Sequence, residues 1–262
     1  MAFSPSNDAV KYEVKDHVAW VALNRPQNMN ALNYYIRQAI GESMIEAERD
    51  DDVWVVLMYG EGGRAWCAGN DLKEMAEADS RGEGARRGYT GGPEVSACPK
   101  PVIAAIDGWA LAGGMQLSAR CDIRIATEKS RFGMPEALRS LTPYGVDTPD
   151  RYFPLGEALY ILLSGVNTVT AERAYQLGFV QFLVPDRDAM FAKAEQVAEE
   201  IKMCAPLAVR TLKYLITHGR YLSPDIATKL GADLREKTAN SEDRQEGPKA
   251  FAEKRKPVWK GR

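Results

Sequence analysis

The first strong pattern along the chain is a run of alternating side chains that predicts a two-stranded hairpin. Residues 18–23 read Val-Ala-Trp-Val-Ala-Leu, which is typical of an extended segment, and Asp16-His17 stands just before them in the position of a turn. The pattern therefore predicts two antiparallel strands between Val10 and Leu23.

After Asn30 the spacing of the apolar residues changes to that of a helix. Leu32, Ile36, Ile40 and Met44 recur every four residues, as on one helical face. Short apolar runs then alternate with helical segments, and the predicted elements are Val53–Tyr59, Asp71–Ala78, Val102–Ile106, Gly113–Ala119 and Ile123–Ala126. Such alternation of strand and helix predicts a mainly parallel sheet with crossover helices.

The last third of the chain has the composition of helices joined by short connections. The predicted helices are Glu157–Ser164, Ala171–Leu177, Ala189–Met203, Pro206–His218 and Ser223–Ala239. We divide the chain into a core domain, residues 1–194, and a C-terminal helical region, residues 195–262. The polar, glycine-rich stretch between Glu77 and Pro99 shows no clear period, and we predict a long loop or a segment that covers a site.

Composition and charge narrow the class of protein. With 262 residues, of which 45% are hydrophobic and 27% charged, the chain is long enough for one full core and a helical appendage. A net charge of −2 provides no basic field for nucleic acid. The sequence contains no apolar run of about 18 residues, the length that a membrane span needs.

Cysteine and histidine usage argues against metal and triad chemistry. The four cysteines are scattered without Cys-x-x-Cys spacing, and His17 and His218 are the only histidines. We therefore expect no metal site, no redox cofactor and no Ser-His-Asp triad. The scattered cysteines and the lack of an apolar N-terminal signal segment predict reduced thiols and a cytoplasmic location.

Two glycine-containing segments carry the candidate chemistry. Residues 66–71 read Trp-Cys-Ala-Gly-Asn-Asp and residues 109–114 read Trp-Ala-Leu-Ala-Gly-Gly, and each follows an apolar run and leads into a predicted helix. Glycine permits a sharp turn and close approach of the backbone there. Backbone N–H groups near Asn70 and Gly113 would form an oxyanion hole, which predicts chemistry on a thioester or a similar acyl group. The alternative, that both glycine turns serve only as strand-to-helix junctions, stays open at this point.

Together with several further stretches, the two segments resemble the crotonase superfamily, also called the enoyl-CoA hydratase/isomerase family. These stretches are Leu23–Pro26, Asn30–Leu32, Cys121–Ile123, Phe132–Glu136, Ala174–Val180 and Phe251–Pro257. The resemblance covers nearly the whole chain and implies an α/β fold, a spiral of repeated ββα units with a C-terminal helical region. It also implies a homotrimer or homohexamer that acts on an acyl-CoA thioester, with CoA as part of the substrate rather than a separate cofactor.

The resemblance also assigns the substrate site. The positions that match the family's backbone oxyanion donors are Asn70 and Gly113. The positions that match its CoA-binding residues are Arg25, Met29, Ala68, Asp71, Leu72, Lys73, Phe251 and Lys254. A solvated surface role for Lys73, and a packed aromatic with a charged tail for Phe251 and Lys254, stay open as alternatives.

Two positions decide which reaction the resemblance implies. Hydratases of the family use two glutamates that share a water, and the matching positions hold Gln116 and Glu136. An amide cannot accept a proton at neutral pH, whereas one carboxylate is enough to move a proton between two carbons. We therefore expect Glu136 to be the catalytic acid/base and Gln116 to orient a water or a substrate group.

A further departure from the family pattern lies in residues 142–150. Tyr144 stands where many hydratases have glycine, and its phenol would donate a proton, order a water or fill the acyl pocket. Asp147 would either cap a helix or point inward and replace the missing carboxylate. We count Tyr144 with Glu136 and Gln116 among the candidate catalytic residues.

Four functions stay open on the sequence. They are an enoyl-CoA isomerase that uses Glu136 alone, an enoyl-CoA hydratase in which Gln116, Tyr144 or Asp147 positions the water, a CoA-thioester hydrolase or carbon–carbon cleaving enzyme, and a non-catalytic acyl-CoA-binding protein. The first two share an enolate intermediate and most of the site. We therefore expect an acyl-CoA enzyme of the enoyl-CoA hydratase/isomerase type, a lyase or an isomerase.

Overall fold

The structure is a computed structural model that describes residues 3–81, 92–142 and 151–261. Its strands are β1 (Val10–Lys15), β2 (Val18–Leu23), β3 (Val55–Gly60), β4 (Ala65–Cys67), β5 (Val102–Ile106), β6 (Trp109–Leu111), β7 (Ile123–Thr127), β8 (Arg131–Gly133), β9 (Val169–Thr170) and β10 (Phe182–Val184). Its helices are α1 (Tyr34–Arg49), α2 (Leu72–Ser80), α3 (Gly92–Ala97), α4 (Gly113–Arg120), α5 (Leu155–Ser164), α6 (Ala171–Gln176), α7 (Arg187–Lys202), α8 (Pro206–Gly219), α9 (Pro224–Ala239) and α10 (Asp243–Ala252).

The predicted hairpin is confirmed as β1 and β2. The two strands pair antiparallel with Val10 opposite Leu23 and Lys15 opposite Val18. Asp16 and His17 both have positive φ, 46° and 63°. Positive φ at both central residues is the backbone form of a two-residue turn that matches the twist of the flanking strands.

The larger sheet has six strands in the order β1-β2-β3-β5-β7-β10, and only the β1–β2 pairing in it is antiparallel. Alternate side chains of its strands divide between two apolar clusters, one on each face. The helix α7 covers one face through Met190, Ala194 and Val197. The residues of α1 and α4 lie in the cluster on the other face. The parallel strands are therefore buried on both sides, which explains their continuous apolar runs.

A second sheet has four strands in the order β4-β6-β8-β9. Its strands β4, β6 and β8 each follow a strand of the large sheet along the chain. β3 is followed by β4 and α2, and β5 by β6 and α4, so the two strands of one ββα unit lie in different sheets. The predicted α/β fold of repeated ββα units is confirmed. In the same arrangement, β7 continues into β8 and then into a 3-10 helix, Pro135–Arg139.

The link from β5 to β6 is the residue pair Asp107-Gly108. The Asp107 side chain is 2% exposed, accepts a hydrogen bond from the Thr127 hydroxyl at 2.9 Å, and pairs with Lys129 at 3.1 Å and Arg187 at 3.4 Å. Gly108 has a φ of +85°, and a Cβ there would overlap the carbonyl oxygen of Arg64. Two cations and a hydroxyl thus stabilise a buried carboxylate at the crossing between the sheets.

Several elements differ from the sequence prediction. The stretch between Glu77 and Pro99 contains α3, in which Val95 is fully buried, although Gly92 and Pro93 at its start argue for a loop. α10 was not predicted, because Gly247 and Pro248 interrupt its helical pattern. The predicted division at residue 194 lies inside α7, so the helix that covers the large sheet spans both predicted regions.

Within the described ranges, no helix is long and apolar enough to cross a membrane.

Helix α8 joins the core through basic side chains. Lys213 pairs with Asp122 at 2.6 Å and donates to the carbonyl oxygen of Lys100 at 2.9 Å. The Lys100 side chain itself is fully buried and donates to the carbonyl oxygen of Asp50. Burial, reinforced by the nearby Arg210 charge, lowers the pKa of Lys100 to about 8.

Replacing Lys100 with methionine tests this buried charge. The unfolded chain holds the Lys100 proton up to its ordinary pKa of 10.5, whereas the folded chain loses it near 8. The protonated amine therefore destabilises the folded state at pH 7, and the free energy of unfolding rises with pH between these two values. We expect the free energy of unfolding of Lys100→Met, measured relative to that of wild type, to fall between about pH 8 and pH 10.5, because only the wild type becomes more stable there. A constant difference across that range would contradict the lowered pKa.

Candidate active site

Three strands of the small sheet end at one edge, and a candidate site segment follows each of them. β4, β6 and β8 are parallel, with Cys67 opposite Ala110 and Leu111 opposite Gly133. Residues 68–71 follow β4, residues 112–116 follow β6 and residues 134–136 follow β8. Because the carboxyl ends of parallel strands lie at the same edge, the fold brings both glycine loops and the segment of Glu136 to one side of this sheet.

The first glycine loop is held by backbone hydrogen bonds to residues 29–32. Ala68 donates to the carbonyl of Met29, Leu32 to the carbonyl of Gly69 at 2.7 Å, and Asp71 to the carbonyl of Leu32 at 3.1 Å. Leu32 thus forms a parallel bridge with Asn70. In such a bridge the N–H of the central residue points away from the partner strand. The Asn70 N–H therefore faces away from residues 29–32.

The two glycine loops touch each other. Gly69 has a φ of +90°, and a Cβ there would lie 2.6 Å from the Cβ of Ala112 and 3.2 Å from the nitrogen of Gly113. A Cβ on Gly114 would overlap the carbonyl oxygen of Cys67. Ala112 itself has a φ of 50° and donates its N–H to the carbonyl of Gly133. The close approach requires glycine at both positions and places Asn70 next to the start of α4.

The backbone donors predicted for the oxyanion hole are available for a ligand. Gly113 is the first residue of α4, where the N–H has no carbonyl partner within the helix. Among the described residues, neither the Asn70 N–H nor the Gly113 N–H donates to another backbone group. Two donors without a backbone acceptor thus lie on adjoining turns, and the oxyanion hole that they would form stays a prediction.

An ion pair between Arg25 and Asp71 stabilises the first glycine loop. Both terminal nitrogens of Arg25 lie 3.1 Å from Oδ2 of Asp71, and Arg25 also donates to the carbonyl of Ala31. Asp71 in turn caps α2 by accepting from the N–H groups of Lys73 and Glu74. The structure thus shows Arg25 and Asp71 binding each other, and their predicted contact with CoA stays a prediction.

The remaining predicted CoA positions are spread over the surface. The N–H of Ala68 donates to the carbonyl of Met29, so these two residues lie where the first glycine loop meets residues 29–32. Leu72 and Lys73 are exposed on the first turn of α2. Phe251, on α10, has 87% of its surface exposed, and Lys254 follows that helix. No hydrogen bond or ion pair of the described residues joins Phe251 or Lys254 to the glycine loops, so their role also stays a prediction.

Glu136 and Gln116 are both half-buried near this edge. Glu136 lies in the 3-10 helix after β8, and its Oε2 is buried with no hydrogen-bond partner in the described part of the chain. Burial raises the pKa of this carboxyl above its usual 4.5. Gln116 lies on the first turn of α4, bonded through its N–H to Ala112. Tyr144 and Asp147 lie outside the described residues.

A nucleophilic cysteine is not supported. Cys67, directly before the first loop, is fully buried, and burial raises its pKa to about 12, so the thiol stays protonated at neutral pH. Over the described ranges there is also no group of three or more His, Cys, Asp or Glu side chains that could hold a metal ion.

Sequence reasoning missed two side chains that build the site. Asn30 is fully buried, accepts from the Arg25 N–H at 2.8 Å, and donates to the carbonyl oxygens of Glu61 and Ala65. Its φ of 53° is unusual for a residue other than glycine. Arg37 donates to Oδ1 of Asn70 at 3.0 Å. No local signal marks Arg37, because an arginine on a helix is ordinarily a solvated residue.

Comparisons with known proteins agree with this geometry. A family model described as enoyl-CoA hydratase/isomerase matches residues 13–262. The protein YngF of Bacillus subtilis is 37% identical over 261 residues, covering 97% of this chain and 99% of YngF. The short-chain-enoyl-CoA hydratase of Clostridium acetobutylicum is 33% identical over 93% of this chain and 94% of its own length. The crystal structure of an enoyl-CoA hydratase from Bacillus anthracis superposes with a TM-score of 0.88 at 31% identity, covering 97% of this chain and all of that one.

The contact between the glycine loops leads to a prediction about Gly114. The variant Gly114→Ala is expected to push the first loop away from α4, because its Cβ would overlap the Cys67 carbonyl oxygen. Overpacking of this kind costs about 1–3 kcal/mol of unfolding free energy, measurable by denaturant unfolding. The matched control is Gly156→Ala in α5, where nothing lies within 4 Å of the new Cβ. Equal stability of the two variants would show that the loops do not pack as described.

Proposed function

This chain belongs to the enoyl-CoA hydratase/isomerase family, a family of acyl-CoA enzymes, and we propose that Glu136 transfers the proton in its reaction. The observation that carries the proposal is the Glu136 carboxyl. One of its oxygens is buried without a partner among the described residues, and its pKa is raised. A carboxyl group in that state is suited to exchanging a proton with a substrate carbon.

The backbone N–H groups of Asn70 and Gly113 supply the second half of the proposed chemistry. A thioester oxygen bound between them would gain hydrogen bonds as negative charge develops on it. Removal of a proton from the carbon next to the thioester produces such charge, because the electrons of the broken C–H bond form an enolate. Donors that are already oriented stabilise this enolate without reorganisation.

The single carboxylate favours movement of the double bond as the overall reaction. Glu136 would take a proton from one carbon of a β,γ-unsaturated acyl-CoA thioester and return it at the other end of the three-carbon system. The product is the α,β-unsaturated isomer, with no atom gained or lost. Gln116 would hydrogen-bond to the substrate or a water, because its amide cannot accept the proton.

Hydration is the second candidate, and the relatives support it. One relative is named a short-chain-enoyl-CoA hydratase and another a carnitinyl-CoA dehydratase. Addition of water at Cβ needs a group that takes a proton from the water, for which Tyr144 and Asp147 remain candidates outside the described residues. A thioester hydrolase or carbon–carbon cleaving enzyme would depend on the same segment, and a non-catalytic acyl-CoA-binding protein would have no use for Glu136.

Exposed apolar side chains on two helices suggest that the protein assembles with copies of itself. Large apolar side chains on α5 and α8 are exposed, among them Leu155 at 66%, Leu163 at 75% and Ile216 at 64%. We propose that these faces are covered in a homotrimer or homohexamer, where α10 with Phe251 and Lys254 would lie near a CoA site. The four cysteines are free, and the cytoplasm is the location we propose.

Replacing Glu136 with glutamine tests its role directly. The amide keeps the size of the side chain but cannot exchange the proton, so turnover of an enoyl-CoA thioester should fall at least about a hundredfold. Binding of the CoA ester, measured by calorimetry, should change little because the backbone donors remain. The matched control is Glu128→Gln, a change of an exposed carboxylate in the link from β7 to β8. Full turnover by Glu136→Gln would overturn the assignment.

The choice between the two reactions is tested in ¹⁸O-labelled water. Wild-type protein is incubated with matched β,γ- and α,β-unsaturated acyl-CoA thioesters, and the products are analysed by mass spectrometry. We expect the two isomers to interconvert without uptake of label. Label in a product that is still a CoA ester would establish hydration instead, and label in a free acid would establish hydrolysis.

A further inference from the structure

One side-chain atom, Oδ1 of Asn70, contacts two other elements at the candidate site. It accepts a hydrogen bond from Nη2 of Arg37, on α1, at 3.0 Å. It is also the nearest atom to the position that a Cβ on Gly113 would occupy, at 3.1 Å. Asn70 belongs to the first glycine loop and Gly113 begins α4. The Asn70 side chain therefore joins the first loop to both α1 and the start of α4.

The contact with Arg37 is a hydrogen bond to a charged donor. A guanidinium group can only donate, so the amide atom that it contacts is the oxygen. Hydrogen bonds to a charged group are stronger than those between two neutral groups. The Arg37 side chain is 20% exposed, so water competes only in part for this bond. Oδ1 of Asn70 is thus fixed by its strongest contact.

Arg37 is itself held in place by α2. Its other terminal nitrogen, Nη1, lies 4.0 Å from Oε2 of Glu74. Oε1 of the same carboxylate accepts from the Tyr34 N–H, at the start of α1, at 2.9 Å. Glu74 therefore contacts both the first turn of α1 and the guanidinium group, and the Arg37 side chain is held at both ends.

The two glycine loops have few other connections to each other. Among the described residues, no backbone hydrogen bond joins residues 68–71 to residues 112–116. The contacts of Gly69 with Ala112 and of Gly114 with Cys67 limit how closely the loops approach. Such packing contacts do not prevent the loops from moving apart or sliding. The Asn70 side chain, fixed by Arg37 and lying against Gly113, is the polar group that restricts this movement.

The spacing of the loops bears on the reaction under Proposed function, and this step rests on that proposal. There, the backbone N–H groups of Asn70 and Gly113 both donate to one thioester oxygen. Oriented donors stabilise the charge that develops on such an oxygen, and a small error in their placement lowers the rate steeply.

We propose that Arg37 is a positioning residue of this oxyanion hole. By fixing Oδ1 of Asn70 against Gly113, it holds the two backbone N–H groups at the spacing at which both reach one oxygen. Arg37 acts through Asn70 and does not itself contact the substrate. Its effect is greatest when negative charge develops on the oxygen, so it raises the rate of enolate formation more than the affinity for the thioester.

The first test measures the hydrogen bonds to the thioester directly. The probe is butyryl-CoA labelled with ¹³C at its carbonyl carbon, and the readout is the infrared band of that carbonyl when bound. Hydrogen bonds to the oxygen weaken the C=O bond and shift the band to lower frequency. Wild-type protein should show such a shift, and Arg37→Met should reduce it. Arg37→Lys should keep more of the shift, because an ammonium group can donate to the same Oδ1.

The second test uses steady-state kinetics with the enoyl-CoA thioester that wild type turns over. Arg37→Met should lower kcat about tenfold, less than the roughly hundredfold loss when a whole oxyanion donor is removed. KM should change by less than about twofold, because the lost interaction develops only in the transition state. Asn70→Ala keeps its backbone N–H but removes both contacts, and it should lose about as much. The double variant should lose no more than either single variant.

The matched control is Arg49→Met. Arg49 is an exposed arginine in the last turn of the same helix, so its replacement removes the same charge and adds the same side chain far from Asn70. This variant should keep the carbonyl shift and the wild-type kcat. Denaturant unfolding of both methionine variants shows whether a change in the site accompanies a change in stability.

The possible outcomes separate this inference from the proposed function. If Arg37→Met keeps the wild-type carbonyl shift and kcat, or if it raises KM alone, the role of Arg37 is overturned and the oxyanion hole is not. The same holds if Arg49→Met loses as much as Arg37→Met, or if the losses of Arg37→Met and Asn70→Ala add in the double variant. If wild-type protein binds butyryl-CoA without any carbonyl shift, the proposed oxyanion hole itself is overturned.

Discussion

The candidate site depends on how closely two backbone turns approach each other. Gly69 and Gly114 lie so near the opposite loop that neither position has room for a Cβ. This contact brings the N–H groups of Asn70 and Gly113 onto adjoining turns, and the backbone bridge from Leu32 directs the first of them away from the neighbouring strand. Packing on both sides fixes the place of these main-chain donors, which is what the proposed stabilisation of a developing charge would require.

The same region contains hydrogen-bonding groups that the described chain does not satisfy. The N–H groups of Asn70 and Gly113 have no backbone acceptor, and the buried Oε2 of Glu136 has no hydrogen-bond partner among the described residues. Other buried polar side chains, such as Asn30 and Arg124, are bonded several times. Folded proteins pair nearly all their buried polar groups, so a buried carboxyl oxygen without a partner is typical of a place where a ligand completes the bonding.

The spiral of ββα units explains why these groups meet. Each unit sends one strand to the large sheet and the next to the small sheet, so the ends of β4, β6 and β8 lie side by side. The ends of β4 and β8, Cys67 and Gly133, are nevertheless 66 positions apart along the chain. The buried Asp107, paired with Lys129 and Arg187, stabilises one of the crossings between the sheets. Helix α1 then contributes Arg37 from a distant part of the sequence.

Much of the fold followed from the sequence alone. The hairpin, the bounds of β5 and the start of α4 were predicted, because a buried strand or helix leaves its own period in neighbouring residues. Both glycine turns were identified from the residue pattern itself, and Glu136 was identified through the match to the family. Short elements such as β6 and β8 have too few residues to show a period, and α3 and α10 contain glycine and proline that argue against a helix. Only the tertiary structure decided that Arg25 binds Asp71, that Arg37 orients Asn70, and that one oxygen of Glu136 is buried without a partner. The two contacts join residues far apart in sequence, and both they and the burial of Glu136 are determined by packing of whole elements rather than by local pattern.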